Sequence, residues 1–402
     1  MRTKIFIVGI VALVFSVATF LVHAQGKEYK ELTYAIVGTG QLVAYDDHGP
    51  IPMPDTGSDF FGQDATNNLN APNYLDNGNG TVTDLVTGLT WKKSMGEKMT
   101  LSEAKIALQK INEIESSNWR IPTVKELYSL MQYSGRVFGD KSIKLFIDTQ
   151  FFDQPIGNVS SGEREIDAQV WSDTPCKSLT MGRDQSQYGV NFIDGRIKAY
   201  PIIDPRSGLP NRMYFRFVRG NPEYGVNRFI DNGDGTISDL ATGLMWQKED
   251  SNEGMNWKDA LKYSRAQVTG GYHDWRLPSA KELQSIVDYS LSYQVDAIPS
   301  ASSYFRFSQW LRPDSKIDVP YYWTGTTLLD GPEPGNMALY VVFGTAMARP
   351  FEAIVDAHGT GAIRSDPKSK LKSERNPIYF GPQGDLQIVL NFVRCVRTIT
   401  RK

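Results

Sequence analysis

The chain has 402 residues, 41% hydrophobic, 11% aromatic and 22% charged, enough for two or three domains with real cores. Its 43 Lys and Arg against 45 Asp and Glu give a formal charge of −2, which excludes a dedicated nucleic-acid binder, since phosphate neutralisation needs a basic excess or face. Two cysteines and four histidines exclude a disulfide-dense scaffold, a multi-cysteine zinc cluster and a His-rich metal site.

Arg2 and Lys4 precede an apolar run of 18 residues from Ile5 to Val22, and Val22-His23-Ala24 offers small residues at a cleavage site. The pattern predicts a signal peptide over 1–24, hence export to the periplasm, the cell surface or the medium. An uncleaved anchor is the other reading, because 18 apolar residues reach the lower limit for a membrane span. In an oxidising compartment Cys176 and Cys395 form either one bridge across a long loop or two buried free thiols.

Past this segment the chain contains one unit twice. Residues 74–93 (YLDNGNGTVTDLVTGLTWKK) match 229–248 (FIDNGDGTISDLATGLMWQK) at 12 of 20 positions. WRIPTVKELYSLMQYS at 119–134 then matches WRLPSAKELQSIVDYS at 275–290 at 9 of 16 positions. Trp91 lies 155 residues before Trp246, Trp119 lies 156 before Trp275, and Trp171 lies 152 before Trp323. Setting Arg216-Phe217-Val218-Arg219 against Asn391-Phe392-Val393-Arg394 gives a spacing of 175, which implies a 23-residue insertion, expected in the polar stretch near 356–385. The expected division is 25–222 for a first domain with its lead-in and 223–402 for a second, a domain duplication rather than a solenoid.

Within each copy, Asn-Gly and Asp-Gly pairs supply the positive φ of tight hairpin turns, so the first block reads as a small meander ending in tryptophan. Thr123 with Glu126, and Ser279 with Glu282, form capping boxes ahead of apolar residues at helical spacing. Earlier helices are expected from Thr100 with Glu103 and from Asn256 with Asp259. Hairpins, two helices and terminal strands in succession predict an α+β fold.

The stretch D-N-G-[DN]-G-T-[IV]-[ST]-D…T-G-L-x-W, the later W-R-[IL]-P-[ST]-x-K-E-L, a downstream W-[ST] and a terminal V-R occur in both copies. Together they resemble the Lcl C-terminal domain family, named for the end of a collagen-like bacterial adhesin. The resemblance implies an exported bacterial protein, two tandem C-type-lectin-like domains, and glycan binding as in that adhesin. The calcium-dependent lectin signatures Glu-Pro-Asn and Trp-Asn-Asp are absent, Glu333-Pro334-Gly335 being the nearest approach. The cysteine pair of the related formylglycine-generating enzymes has no counterpart, since Cys395 falls opposite Gly220 in this register.

Few residues carry chemistry. Asp231, Asp234 and Asp239 are the calcium candidates, but Gly233 and Gly235 stand where an EF-hand needs oxygen ligands, and a plain hairpin explains the same residues. The repeated tryptophans read as core. Trp310 has no counterpart in the first copy and is the surface candidate for stacking on a sugar. Arg364, Lys368, Lys370, Lys372 and Arg375 form a basic stretch that either grips an acidic glycan or is a solvated loop. No nucleophile–base pair or phosphate loop emerges, so no catalytic residue and no cofactor is assigned. The expectation is a non-enzymatic glycan-binding or adhesion-type protein whose partner is a glycan or an envelope or extracellular protein. A structural component of the envelope is the alternative, and an oxidase-like enzyme the third reading.

Overall fold

A computed structural model describes residues 32–136, 143–331, 333–350, 352–369, 378–380 and 383–399. The expected signal segment over 1–24 lies outside the described residues. In the first repeat, β1 (Tyr74–Asp76), β2 (Thr81–Asp84) and β3 (Leu89–Lys92) form the anticipated meander. Helices α1 (Leu101–Glu115) and α2 (Val124–Ser129) follow, then β4 (Val170–Pro175), β5 (Ser186–Asn191), β6 (Arg196–Pro201) and β7 (Val218–Gly220). The second repeat restates this order with β8 (Phe229–Asp231), β9 (Thr236–Asp239), β10 (Leu244–Gln247), α3 (Trp257–Arg265) and α4 (Ala280–Ser285). Then come β11 (Tyr321–Leu328), β12 (Met337–Val342), β13 (Met347–Ala348), β14 (Val355–Asp356), β15 (Ile363–Pro367), β16 (Ile378–Phe380), β17 (Asp385–Gln387) and β18 (Val396–Thr398). The mixed helices and antiparallel sheets are the α+β architecture read from the sequence.

Local chemistry explains the boundaries. Gly78 and Gly80, like Gly233 and Gly235, hold φ between 72° and 87°, which only glycine adopts without steric cost, so the D-N-G-x-G run turns there. Thr100, Thr123 and Ser279 each accept a hydrogen bond from the N3 amide of their helix while the N3 glutamate bonds back to the cap. At six residues, α2 and α4 are too short to persist alone, and their buried faces hold them.

The two copies are not separate bodies. β4, β5 and β6 join β11, β12 and β15 in one six-stranded sheet of order β11-β12-β15-β6-β5-β4. At its centre Ile197 of β6 faces Ile363 of β15 in antiparallel register. Val190 pairs with Ile197 and Val341 with Ile363, so the two isoleucines are equivalent residues meeting on an approximate two-fold axis. On one face of this sheet α2 and α4 pack together, and a single core runs from Val124, Leu127 and Tyr128 to Leu283, Ile286 and Val287. The expected boundary at 222/223 therefore divides the repeat but not the core.

The last motif corrects the expected register. Arg216 lies fully buried and donates to the carbonyls of Lys92, Lys93 and Asp153 at 3.0, 2.5 and 2.7 Å. Arg394, equally buried, donates to the carbonyls of Gln247, Lys248 and Arg306. Val218 pairs with Trp91 and Val396 with Trp246. The equivalent of Arg216 is thus Arg394 at a spacing of 178, not Asn391 at 175, and Cys395 stands opposite Phe217 rather than Gly220. The extra residues also form two segments, not one near 356–385. The first, between β12 and β15, carries β13 and β14; the second, between β15 and β18, carries β16 and β17. They pair with each other into a four-stranded sheet of order β14-β13-β17-β16.

The repeated W-R-[IL]-P-[ST]-x-K-E-L block is the clamp between copies. Arg120 pairs with Glu126, and Arg276 pairs with Glu282 at 2.6 Å, so each motif arginine holds the glutamate of its own capping box. The lysines cross over. Lys125 Nζ donates to the carbonyl of Ser285 at 2.7 Å, and Lys281 Nζ donates to that of Ser129 at 2.8 Å. Each repeat caps the C-terminal end of the other's short helix with a lysine N–H donor, where helix carbonyls lack internal partners.

Candidate functional site

A cleft of about 960 Å³ opens where the repeats meet, bounded by the start of α2, the connector Pro222–Asn227, the turn after α4 at Asp288 and Tyr289, and the segment from Ile298 to Phe307. Phe229 and Phe307 give it half-buried aromatic walls beside Lys125, Asn227 and Asp288. Of the donors there that have no acceptor among the described residues, two bear on its chemistry. The backbone N–H of Tyr289 is one. The other is the hydroxyl of Thr174, which accepts from the Val124 N–H at 3.0 Å but donates to nothing.

The approximate two-fold requires a twin of this cleft, and the twin is filled by the chain itself. Thr326 is equivalent to Thr174, because it accepts from the Ala280 N–H at 2.9 Å as Thr174 does from Val124. Its hydroxyl donates to Asp64 at 2.6 Å, and Thr39 donates to the same carboxylate oxygen at 2.7 Å. Tyr133, the equivalent of Tyr289, donates its N–H to the Thr39 carbonyl at 2.7 Å. Lys281 donates to the Gly38 carbonyl at 3.1 Å. Gln41 bonds through its amide to the carbonyls of Tyr133 and Thr327 at 2.9 and 2.6 Å and accepts from the Thr327 N–H at 3.0 Å. The lead-in before the first hairpin is thus a wall-to-wall occupant of one cleft. Burial pushes the Asp64 carboxyl up to about 6, because two hydroxyl donors replace bulk water only in part.

The residues singled out from sequence fall elsewhere. Arg364 is not part of a solvated stretch: as a residue of β15 it is only 7% exposed, paired with Asp385 and 2.7 Å from His358 Nε2. Lys368 is 1% exposed, lies over the Trp257 ring at 4.0 Å and donates to the Asp46 carbonyl. Both are internal struts, because the sheet continues through a window whose charge alone suggested a loop. Lys370, Lys372 and Arg375 lie outside the described residues. Trp310 is half-buried on a two-residue strand paired with Asp318, packs against both large cores and does not line the cleft.

The calcium candidates do not converge. Asp231 pairs with Lys248 at 2.6 Å, Asp234 accepts from Thr236, and Asp239 accepts from Asn227, Arg228 and Thr242. Asn79 accepts from Thr81 just as Asp234 does from Thr236, so the position serves the turn in either chemistry. Among the described residues no three His, Cys, Asp or Glu side chains are placed to hold a metal ion.

The cysteines are free, which corrects the bridged alternative. Cys176 rests against Tyr188 and Ser178 at 3.6 Å, whereas Cys395 lies in the core of the second repeat, its thiol pushed up to about 12 by burial. The folded protein is therefore expected to react slowly with a thiol reagent and the denatured protein to yield two equivalents. A denatured, unreduced chain yielding none would restore the bridge.

Sequence reasoning missed Thr174, Tyr289 and Lys125. Lys125 and Lys281 carried a usable signal, being repeated charges that no capping box explains. Thr174 and Tyr289 carried none, because their roles appear only once the two clefts are set side by side.

No curated protein and no solved structure matches the chain significantly. The family model described as the Lcl C-terminal domain matches residues 80–219 and again residues 235–354. The family is of the adhesin type and the segments matched are the two repeats, so the fit is with a surface protein and a non-enzyme. Among the described residues no helix is long and apolar enough to cross a membrane. With both repeats matched over more than half its length, the chain belongs to the Lcl C-terminal domain family and carries two tandem copies of the domain.

Proposed function

We propose that the chain is an exported, adhesion-type binding protein of the cell surface or envelope, and that it receives its ligand in the open cleft between the repeats. The observation that carries this reading is an asymmetry. Two equivalent clefts exist, and one is lined by unpaired donors and aromatic rings while the other is packed with the chain's own residues. Concave sites with apolar walls and a few aimed polar groups are where ligands are held.

Glycan is the ligand class that the family resemblance brings, on a C-type-lectin-like framework. Phe229 and Phe307 offer ring faces to sugar C–H surfaces, and Asn227 and Asp288 offer oxygens to hydroxyls. The reading assigns no cofactor and no catalytic residue. Val226 and Ser303 are exposed on the rim, so Val226→Trp and Ser303→Trp obstruct the cleft without disturbing the core. On an array of neutral and sulfated glycans, bound sugars are expected to be lost from both variants. Binding that survives both would move the site elsewhere. A second reading, a protein-binding component of the envelope, is favoured by the polypeptide that fills the twin.

A further inference from the structure

The filled twin names a ligand for the open cleft, an inference that rests on reading that cleft as the binding site. We propose that it takes a segment of a partner protein, its backbone laid along Tyr289 as residues 37–41 of this chain lie along Tyr133, and with a side chain at Thr174 where Asp64 stands at Thr326.

The twin supplies the template. There the Tyr133 N–H meets a backbone carbonyl, that of Thr39, and the Thr326 hydroxyl meets a side-chain oxygen. In the open cleft the Tyr289 N–H and the Thr174 hydroxyl are left with the same two needs. In the twin the carbonyl comes from Thr39 and the oxygen from Asp64, but the Thr39 and Thr326 hydroxyls share that one oxygen, so a single segment with a longer polar side chain at the Thr39 position can meet both needs. Lys125, by contrast, is already satisfied by the chain itself. Its twin Lys281 bonds to the Gly38 carbonyl of the bound lead-in, and Lys125 reaches the connector carbonyl of Gly225 at 3.1 Å on the wall of the open cleft.

The differences between the clefts decide whose segment it is. Gly325 brings the lead-in close, for a Cβ there would stand 3.0 Å from the Asp64 carboxylate. Its equivalent is Asp173, which accepts no such approach and adds a negative charge. Thr327, whose N–H holds Gln41, is replaced by Pro175, which has no N–H to give. Gln132 is replaced by Asp288, whose carboxylate already accepts from Ser290. The lead-in of a second copy would thus lose its glutamine anchor and set Asp64 against Asp173. The occupant is a foreign segment with a neutral side-chain acceptor, Asn or Gln, at the Thr174 position. A basic residue beside it would gain from Asp173 and Asp288.

Selection of a displayed library of random linear peptides on the full chain tests this, with Val226→Trp and Ser303→Trp as counter-selection and a glycan array run in parallel. The expected result is a set of peptides that bind the parent chain and neither rim variant. Thr174→Val should weaken them by about 5–10-fold, the worth of one hydrogen bond, while Thr174→Ser, which keeps the hydroxyl and the α2 cap, should bind as the parent does. Glycans alone binding, and being lost from the rim variants, would overturn the peptide while leaving the cleft as the site. No ligand from either set, or ligands indifferent to both rim variants, would overturn the cleft reading together with the inference.

Discussion

Arg216→Met is expected to lower stability by about 3–5 kcal/mol, because it removes a fully buried cation bonded to three carbonyls, of which those of Lys92 and Asp153 have no other donor among the described residues. The guanidinium is fully buried and serves the carbonyls of Lys92, Lys93 and Asp153, tying the end of β3 to a loop some sixty residues on. Burial holds its pKa down to about 9, yet the fan of carbonyls suits a planar cation with several donors. Lysine, a point charge, cannot span all three, so Arg216→Lys should recover only part of the loss. Arg394→Met should behave alike in the second repeat, where Asp250 at 3.9 Å would also lose its cation. Because one core serves both repeats, either change should shift a single transition seen alike by tryptophan fluorescence and circular dichroism in urea. Two separated transitions, with only the mutated repeat displaced, would refute the shared core.

The second large effect is a pH dependence centred on Lys281. Its ammonium is 3% exposed, bonded to the carbonyls of Gly38 and Ser129, and burial holds its pKa down to about 7. Below pH 7 the lysine is charged in both folded and unfolded chains, and the full cost of burying the charge is felt. Between that value and its ordinary 10.5 the folded chain releases the proton while the unfolded chain keeps it. Stability therefore rises with pH across this window, by at most about 1.4 kcal/mol per pH unit from this residue. Lys281→Met removes the contribution, so the parent's urea midpoint should climb relative to the variant's steadily from pH 7 to 9.5. Parallel midpoints would place the lysine in water rather than between the repeats.

Sequence and structure agree where the determinants are local. Three capping boxes and two Gly-rich turns each lie within a few residues, and each was legible from spacing alone. The repeat itself was legible for the same reason. The pairing of Ile197 with Ile363 was not, since no local pattern says which strand edge meets another. The terminal motif shows the limit more sharply. Asn391-Phe392-Val393-Arg394 and Arg394-Cys395-Val396-Arg397 each share three of four residues with Arg216-Phe217-Val218-Arg219, a tie that identity cannot break. Burial breaks it, because only an arginine at the first position can reach the three carbonyls. The basic stretch failed for a related reason. Arg364 is a strand residue whose partners, His358 and Asp385, arrive with the inserted segments.

The candidate site was illegible because it is a difference between two nearly equal places. Thr174 and Thr326 share one capping role, and Tyr133 and Tyr289 share a motif position. What separates them is whether residues 37–41 and Asp64 are present.

Amide hydrogen exchange of the ligand-free chain, resolved at Tyr133 and Tyr289, tests this asymmetry most directly. The Tyr133 amide, bonded to the Thr39 carbonyl, should be protected to near the global unfolding limit, and the Tyr289 amide should exchange faster by orders of magnitude until a cleft ligand is added. Equal protection at the two tyrosines, with no response at Tyr289 to any ligand the chain binds, would contradict the existence of one filled and one open cleft.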